Sequence, residues 1–168
     1  GGVVPYIFSS NVNATNQGFA LTAMSRWEAI SNVDFRAWQV GDTNWIFIQS
    51  ASNNSSFVGV QGGQQVVNIF NWTFNHIIAH ELGHALGLWH EQSRPDRDTY
   101  VTIDYGNIGN FCGSGGTSSC AYNFDIESGA GTYTPYDFDS VMHYGRTAFT
   151  TGGDTITVKA AYNNSTIA

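Results

Sequence analysis

The chain has 168 residues, the size of one domain or a tightly joined pair of half-domains rather than several independent ones. With 42% hydrophobic and 14% aromatic residues it can build a packed core, which excludes a disordered or low-complexity chain. Thirteen acidic against six basic side chains leave a net charge of -7, the wrong sign for a phosphate backbone or an anionic lipid surface, so no nucleic-acid partner is expected.

No run reaches the roughly 18 apolar residues of a membrane span. Charged residues are only 11% of the chain, and Lys159 is the single lysine. Such a polar, weakly charged surface fits a secreted, extracellular protein, and a chain that starts at Gly1 rather than Met reads as processed.

Taken in order, residues 3–8 form an extended apolar run. Phe19, Ala20, Ala23, Met24, Trp27 and Ile30 then recur at helical spacing after the turn-like Asn16-Gln17-Gly18. Short β-branched or aromatic runs at 33–38, 45–48, 57–60 and 66–70, separated by Gly, Asn and Ser, predict strands. A second helix is expected over 73–86, with Phe74, Ile77, Ile78, Leu82 and Leu86 available to bury against the sheet. Beyond Gly87 the regularity fades into Gly, Asp, Tyr and turn signals. Cys112 and Cys120 flank a Gly/Ser-rich stretch that can close as a local disulfide in an oxidising compartment. The competing reading is two free thiols.

The second helix carries His80-Glu81-Leu82-Gly83-His84, and His90 follows Gly87. This is H-E-x-x-H-x-x-G-x-x-H, which arises by chance in roughly one chain of this composition in 10^5. His80 and His84 stand one helical turn apart, so both imidazoles leave the same face and can meet one zinc ion. His90 would lie about 15 Å further along a continuing helix. The chain must therefore turn back, and Gly87 accepts the left-handed backbone that ends a helix. Glu81, next to a ligand but pointing elsewhere, fits a base that takes the proton of a metal-bound water. His76, one turn before His80, is read as an ordinary histidine because three histidines and a water complete a catalytic site.

Ser140-Val141-Met142-His143-Tyr144-Gly145 fits the Met-turn that accompanies the long zinc motif in metzincins. Met142 offers a soft thioether for packing under histidine rings. Tyr144 can serve as a weak extra ligand, as a hydrogen-bond donor to an oxyanion, or simply as a packed tyrosine.

The text from His80 to Asp98, HELGHALGLWHEQSRPDRD, together with Ser140-Val141-Met142-His143-Tyr144 and the opening Gly2-Val3-Val4-Pro5-Tyr6, closely resembles the astacin family of zinc endopeptidases within the metzincins. The resemblance implies an α+β, two-lobed metzincin-type zincin. Its upper lobe, about 1–87, would be a twisted mixed sheet packed on two helices, and its lower lobe, about 88–168, largely irregular, the whole forming a single catalytic domain. It implies one catalytic Zn2+ held by His80, His84 and His90, Glu81 as general base and Tyr144 as a switchable fifth ligand. It further implies a peptide or protein substrate and an inactive precursor with an inhibitory pro-segment. Three features depart from the family pattern. About a dozen residues that usually precede the first strand are missing, the cysteines do not match the family's two disulfides, and the family's final helix lies beyond Ala168. The polar end at residues 161–166 accordingly predicts a longer native protein, or a second polypeptide supplying the missing piece.

Two other functions share these residues. A zinc hydrolase acting on a non-peptide amide uses the same activated water. A catalytically dead binding module does not need Glu81 and all three ligands, yet this chain keeps them.

Overall fold

A computed structural model describes residues 2–110, 112, 119–163 and 165–167. The chain divides into two compact units, Gly1–Leu88 and Trp89–Ala168. The first runs β1 (Gly2–Phe8), α1 (Ala14–Ile30), β2 (Val33–Ala37), β3 (Asn44–Ser50), β4 (Ser55–Ser56), β5 (Gly63–Ile69) and α2 (Asn75–Ala85). The sheet order is β2-β1-β3-β5-β4. Strands β1, β2, β3 and β5 are parallel and β4 closes one edge antiparallel to β5, which gives the mixed sheet and two helices that the family resemblance implies. α1 is the crossover that parallel β1 and β2 require.

Burial follows the strand period of two: Ile46 and Ile48 on β3, and Gln65, Val67 and Ile69 on β5, are all buried. Ala20, Ala23 and Met24 of α1 and Ile78 and Leu82 of α2 complete this core. Burying each of the larger aliphatic side chains contributes about 1.5–3 kcal/mol relative to exposure. The Trp27 indole donates to the Ala79 carbonyl at 2.9 Å, and the Asn75 amide donates to the Phe19 carbonyl at 2.9 Å, so two polar bonds tie the helices together.

Two elements differ from the sequence reading. α1 begins four residues before Gly18, because the Asn13 side chain accepts the Asn16 N–H at 2.9 Å and caps the helix there. Asn16-Gln17-Gly18 therefore lies within the first turns. The run at 57–60 is not a strand. The Phe57 carbonyl is taken by the Gln65 side chain at 3.0 Å instead of by a neighbouring strand, and Gly59 turns with φ +70°. Strand pairing stops at Ser56.

Among its described residues the second unit has one small ladder, β6 (Val101–Ile103) antiparallel to β7 (Ile156–Val158), an isolated antiparallel bridge between Ile108 and Thr150, and short 3-10 turns. Val101, Ile108, Cys120, Phe124, Tyr136, Ile156 and Ile167 form its core. Cys112 and Cys120 are joined by a disulfide with Cα atoms 5.0 Å apart. Two buried arginines satisfy chain segments that no ladder reaches. Arg94 binds Glu91 and Asp96, each at 2.8 Å, and donates to the carbonyls of Thr134 and Pro135. Arg97 donates to the carbonyls of Gln92 and Phe124 and pairs with Asp98.

Candidate active site

α2 ends in a Schellman arrangement. Gly87 N–H donates to the His84 carbonyl at 2.8 Å, Leu88 N–H donates to the Gly83 carbonyl at 3.0 Å, and Gly87 has φ +104°. The His84 carbonyl also accepts Gly59 N–H at 2.8 Å, and a Cβ on Gly87 would stand 3.8 Å from the Gly59 Cα. The helix is thus stopped by hydrogen bonds close to His84. The chain then leaves in a new direction toward His90, which has extended backbone with ψ 140°.

The outcome is a cluster of imidazoles. His80, His84 and His90 each offer a ring nitrogen, and these ligating atoms lie within 4.8 Å of one another. The rings of His80 and His84 stand edge to face, with centroids 4.6 Å apart. His84 Nδ1 lies 2.8 Å from the Leu88 carbonyl, so Nδ1–H donates there and the lone pair is left on Nε2, the tautomer a metal needs. Burial lowers the His84 pKa and favours that neutral form.

Glu81 is buried, and its Oε2 has no hydrogen-bond partner among the described residues. Burial pushes this carboxyl up to about 7. An orphaned carboxylate oxygen beside His80 on a helix is costly unless a cation and a water complete its surroundings. Three nitrogen donors and one such oxygen therefore fit zinc, whose catalytic sites take three protein ligands and leave a position open.

In the second unit, the segment that follows His90 is bonded to the Met-turn. Glu91 N–H donates to the Met142 carbonyl at 3.0 Å, and Tyr144 N–H donates to Gln92 Oε1 at 2.9 Å. Met142 is buried, and the Tyr144 ring lies with its centroid 4.4 Å from that of His90. Phe124 and Phe149 flank the same phenol ring at 5.8 and 5.5 Å. His76 is exposed and packs edge-on against Phe74, outside the imidazole cluster.

The family model of the astacin peptidases matches residues 1–168. The chain belongs to the astacin family. Astacins are zinc metalloendopeptidases that use one catalytic zinc, and the imidazole cluster of this astacin chain is able to bind a metal. Zinc metalloproteinase nas-39 of Caenorhabditis elegans is 37% identical over 166 residues, covering 94% of this chain but 17% of the relative. High choriolytic enzyme 1 of Oryzias latipes, a hatching enzyme zinc-protease, is a solved structure that matches with TM-score 0.81 and 36% identity, over 94% of this chain and 76% of that one. Myroilysin matches with TM-score 0.62 at 21% identity, over 99% of this chain and 87% of that one, and shares the fold.

Residues that spacing alone does not reveal support this astacin site. The Leu88 carbonyl that orients His84 is backbone and carries no side-chain signal. Gln92 stands only two residues from His90 but meets Tyr144 across 52 positions of sequence. Arg94, Arg97 and Arg146 from sequence fit a pocket for acidic side chains, with a structural ion-pair cluster the alternative for Arg97; Arg94 and Arg97 are buried in structural bonds. Exposed Arg146 pairs with Asp154.

Proposed function

We propose that the chain is the catalytic domain of a secreted zinc endopeptidase that hydrolyses internal peptide bonds. The domain spans residues 1–168, with lobes of about 1–87 and 88–168. The observation that carries this reading is the convergence of the His80, His84 and His90 ligating atoms beside a helix that also buries an unpartnered Glu81 oxygen.

His80, His84 and His90 would hold the ion. When bound, zinc supplies a Lewis acid that acidifies water and polarises the scissile carbonyl. Glu81 accepts the proton of the attacking water on its carboxylate and returns it to the departing amine nitrogen. The Tyr144 phenol donates its O–H to the negative charge that develops on the carbonyl oxygen. The Leu88 carbonyl keeps the His84 ring in its ligating tautomer throughout.

The edge strand β4 supports a peptide substrate, since its outer rim offers main-chain donors and acceptors whatever the side chains of the peptide. Strand pairing there covers Ser55–Ser56, so the extended contact is short. The disulfide supports an oxidising, extracellular setting, and no helix among the described residues is long and apolar enough to cross a membrane. Synthesis as a precursor with an inhibitory pro-segment belongs to the same reading and rests on the family likeness.

Glu81→Gln tests it. The variant should keep one zinc per chain by elemental analysis and lose about 10^2–10^4 in turnover of casein or gelatin, because an amide cannot take the proton. Near-normal turnover removes Glu81 from the mechanism, and active protein free of transition metal removes zinc.

A further inference from the structure

Gln92 is wholly buried. Its two ends do different work. The main-chain carbonyl accepts from the Arg97 guanidinium at 3.0 Å, which fixes the residue in the second unit. The side-chain Oε1 accepts the backbone N–H of Tyr144 at 2.9 Å, while Nε2 has no partner among the described residues. A buried amide with an unsatisfied donor is expensive, so packing alone does not account for a glutamine here. An isosteric apolar side chain would fill the same space without that cost.

The opposite side of the Tyr144 residue is also held. The Tyr144 carbonyl accepts from His143 Nδ1 at 2.6 Å, and His143 Nε2 in turn accepts from the Tyr136 hydroxyl at 2.7 Å. Glu91 N–H to the Met142 carbonyl is the main-chain bond that runs beside the Gln92 contact. The residues immediately after His90 therefore grip the Met-turn twice, once through backbone and once through the Gln92 amide.

We propose that Gln92 is a positioning residue for Tyr144: by fixing the Tyr144 N–H to the segment that follows His90, it sets where the phenol stands relative to that ligand. The inference rests on the reading of Tyr144 as a donor to the developing oxyanion. A displaced phenol would weaken transition-state stabilisation while leaving ground-state binding nearly unchanged.

The test is a cycle on the zinc-loaded chain. Gln92→Met, which keeps the volume and removes the acceptor, should lower kcat about ten-fold with KM changed less than about two-fold. Gln92→Glu, which restores an acceptor oxygen, should recover most of that loss. In a Tyr144→Phe background Gln92→Met should have almost no further effect, since the group it positions is gone. A readout without turnover accompanies this: amide exchange at Tyr144 should be slow in the parent and about ten-fold faster in Gln92→Met, with zinc or without it. Should the methionine variant not fold, Gln92→Asn carries the same test, because its acceptor stops one methylene short of the Tyr144 N–H. Equal kcat losses from Gln92→Met in both backgrounds, or unchanged exchange at Tyr144, overturn the proposal. If Tyr144→Phe by itself leaves kcat intact, the reading of Tyr144 fails and takes the positioning role with it, a result distinct from the other two.

Discussion

The two units satisfy their buried backbone by different means. In the first, parallel strands and two helices pair most N–H and C=O groups with each other, so side chains are free to pack. In the second, a single three-residue ladder among the described residues leaves long irregular segments, and buried guanidinium groups take up their carbonyls. The second unit therefore adds to its apolar core a dependence on a few buried charged side chains and one covalent link, whereas the stability of the first is spread over many apolar contacts.

Arg94→Met tests this difference at its largest. It would strand Glu91 and Asp96 and leave the Thr134 and Pro135 carbonyls without their donor. We expect a loss of about 3–5 kcal/mol in urea unfolding, the usual cost of breaking a buried ion pair from one side. Arg36→Met in the first unit removes a more exposed pair with Asp42 and should change stability far less. Equal losses at the two arginines would break the comparison.

The covalent link comes next. Replacing Cys112 and Cys120 with serine should cost about 2–3 kcal/mol on the loop-entropy account, seen as a lower urea midpoint. Two reactive thiols in unreduced, denatured protein would show that the link does not form. Gly87→Ala probes the regular unit where it is least regular. The space is adequate, with Gly59 Cα at 3.8 Å from the added carbon, but φ +104° is unfavourable for alanine. A cost of about 1–2 kcal/mol is expected, with weaker zinc retention in competition with a chelator, because the turn to His90 begins there. Unchanged zinc affinity would detach the turn from the metal site.

The same contrast decides what can be read from sequence. The three-histidine cluster is legible because its parts are local: a four-residue helical spacing, a glycine and a third histidine within eleven positions. The sheet is legible where alternation marks one buried face, as on β3 and β5. Pattern misleads at 57–60, where the Gln65 side chain replaces a ladder partner and nothing in the alternation gives warning. It also misplaces the start of α1, because Asn13 caps the helix and Gly18 is tolerated inside it. In the second unit the decisive contacts span about 40 residues, from Arg94 to Thr134 and Pro135, and couple a charge to carbonyls that any residue supplies. Nothing in the composition of residues 134 and 135 announces them.

The smallest expected effect concerns acid. The Arg94 guanidinium bonded to Asp96 holds that carboxyl below the ordinary carboxylate range. Unfolded, the same group titrates near pH 4, so on acidification the unfolded chain takes up its proton first. The stabilisation from the pair is therefore complete above the unfolded value and is lost as the pH falls from about 4 through the folded value. Stability of the parent chain, measured without zinc so that ligand protonation does not intrude, should decline through this window, and Asp96→Asn should make the decline shallower. Above about pH 6 the two profiles should run parallel, because Asp96 is then ionised in both states and no proton is exchanged on unfolding. Should the variant keep the parent's slope below pH 4, Asp96 would not be held by Arg94, and the acid sensitivity of the irregular unit would have to arise elsewhere.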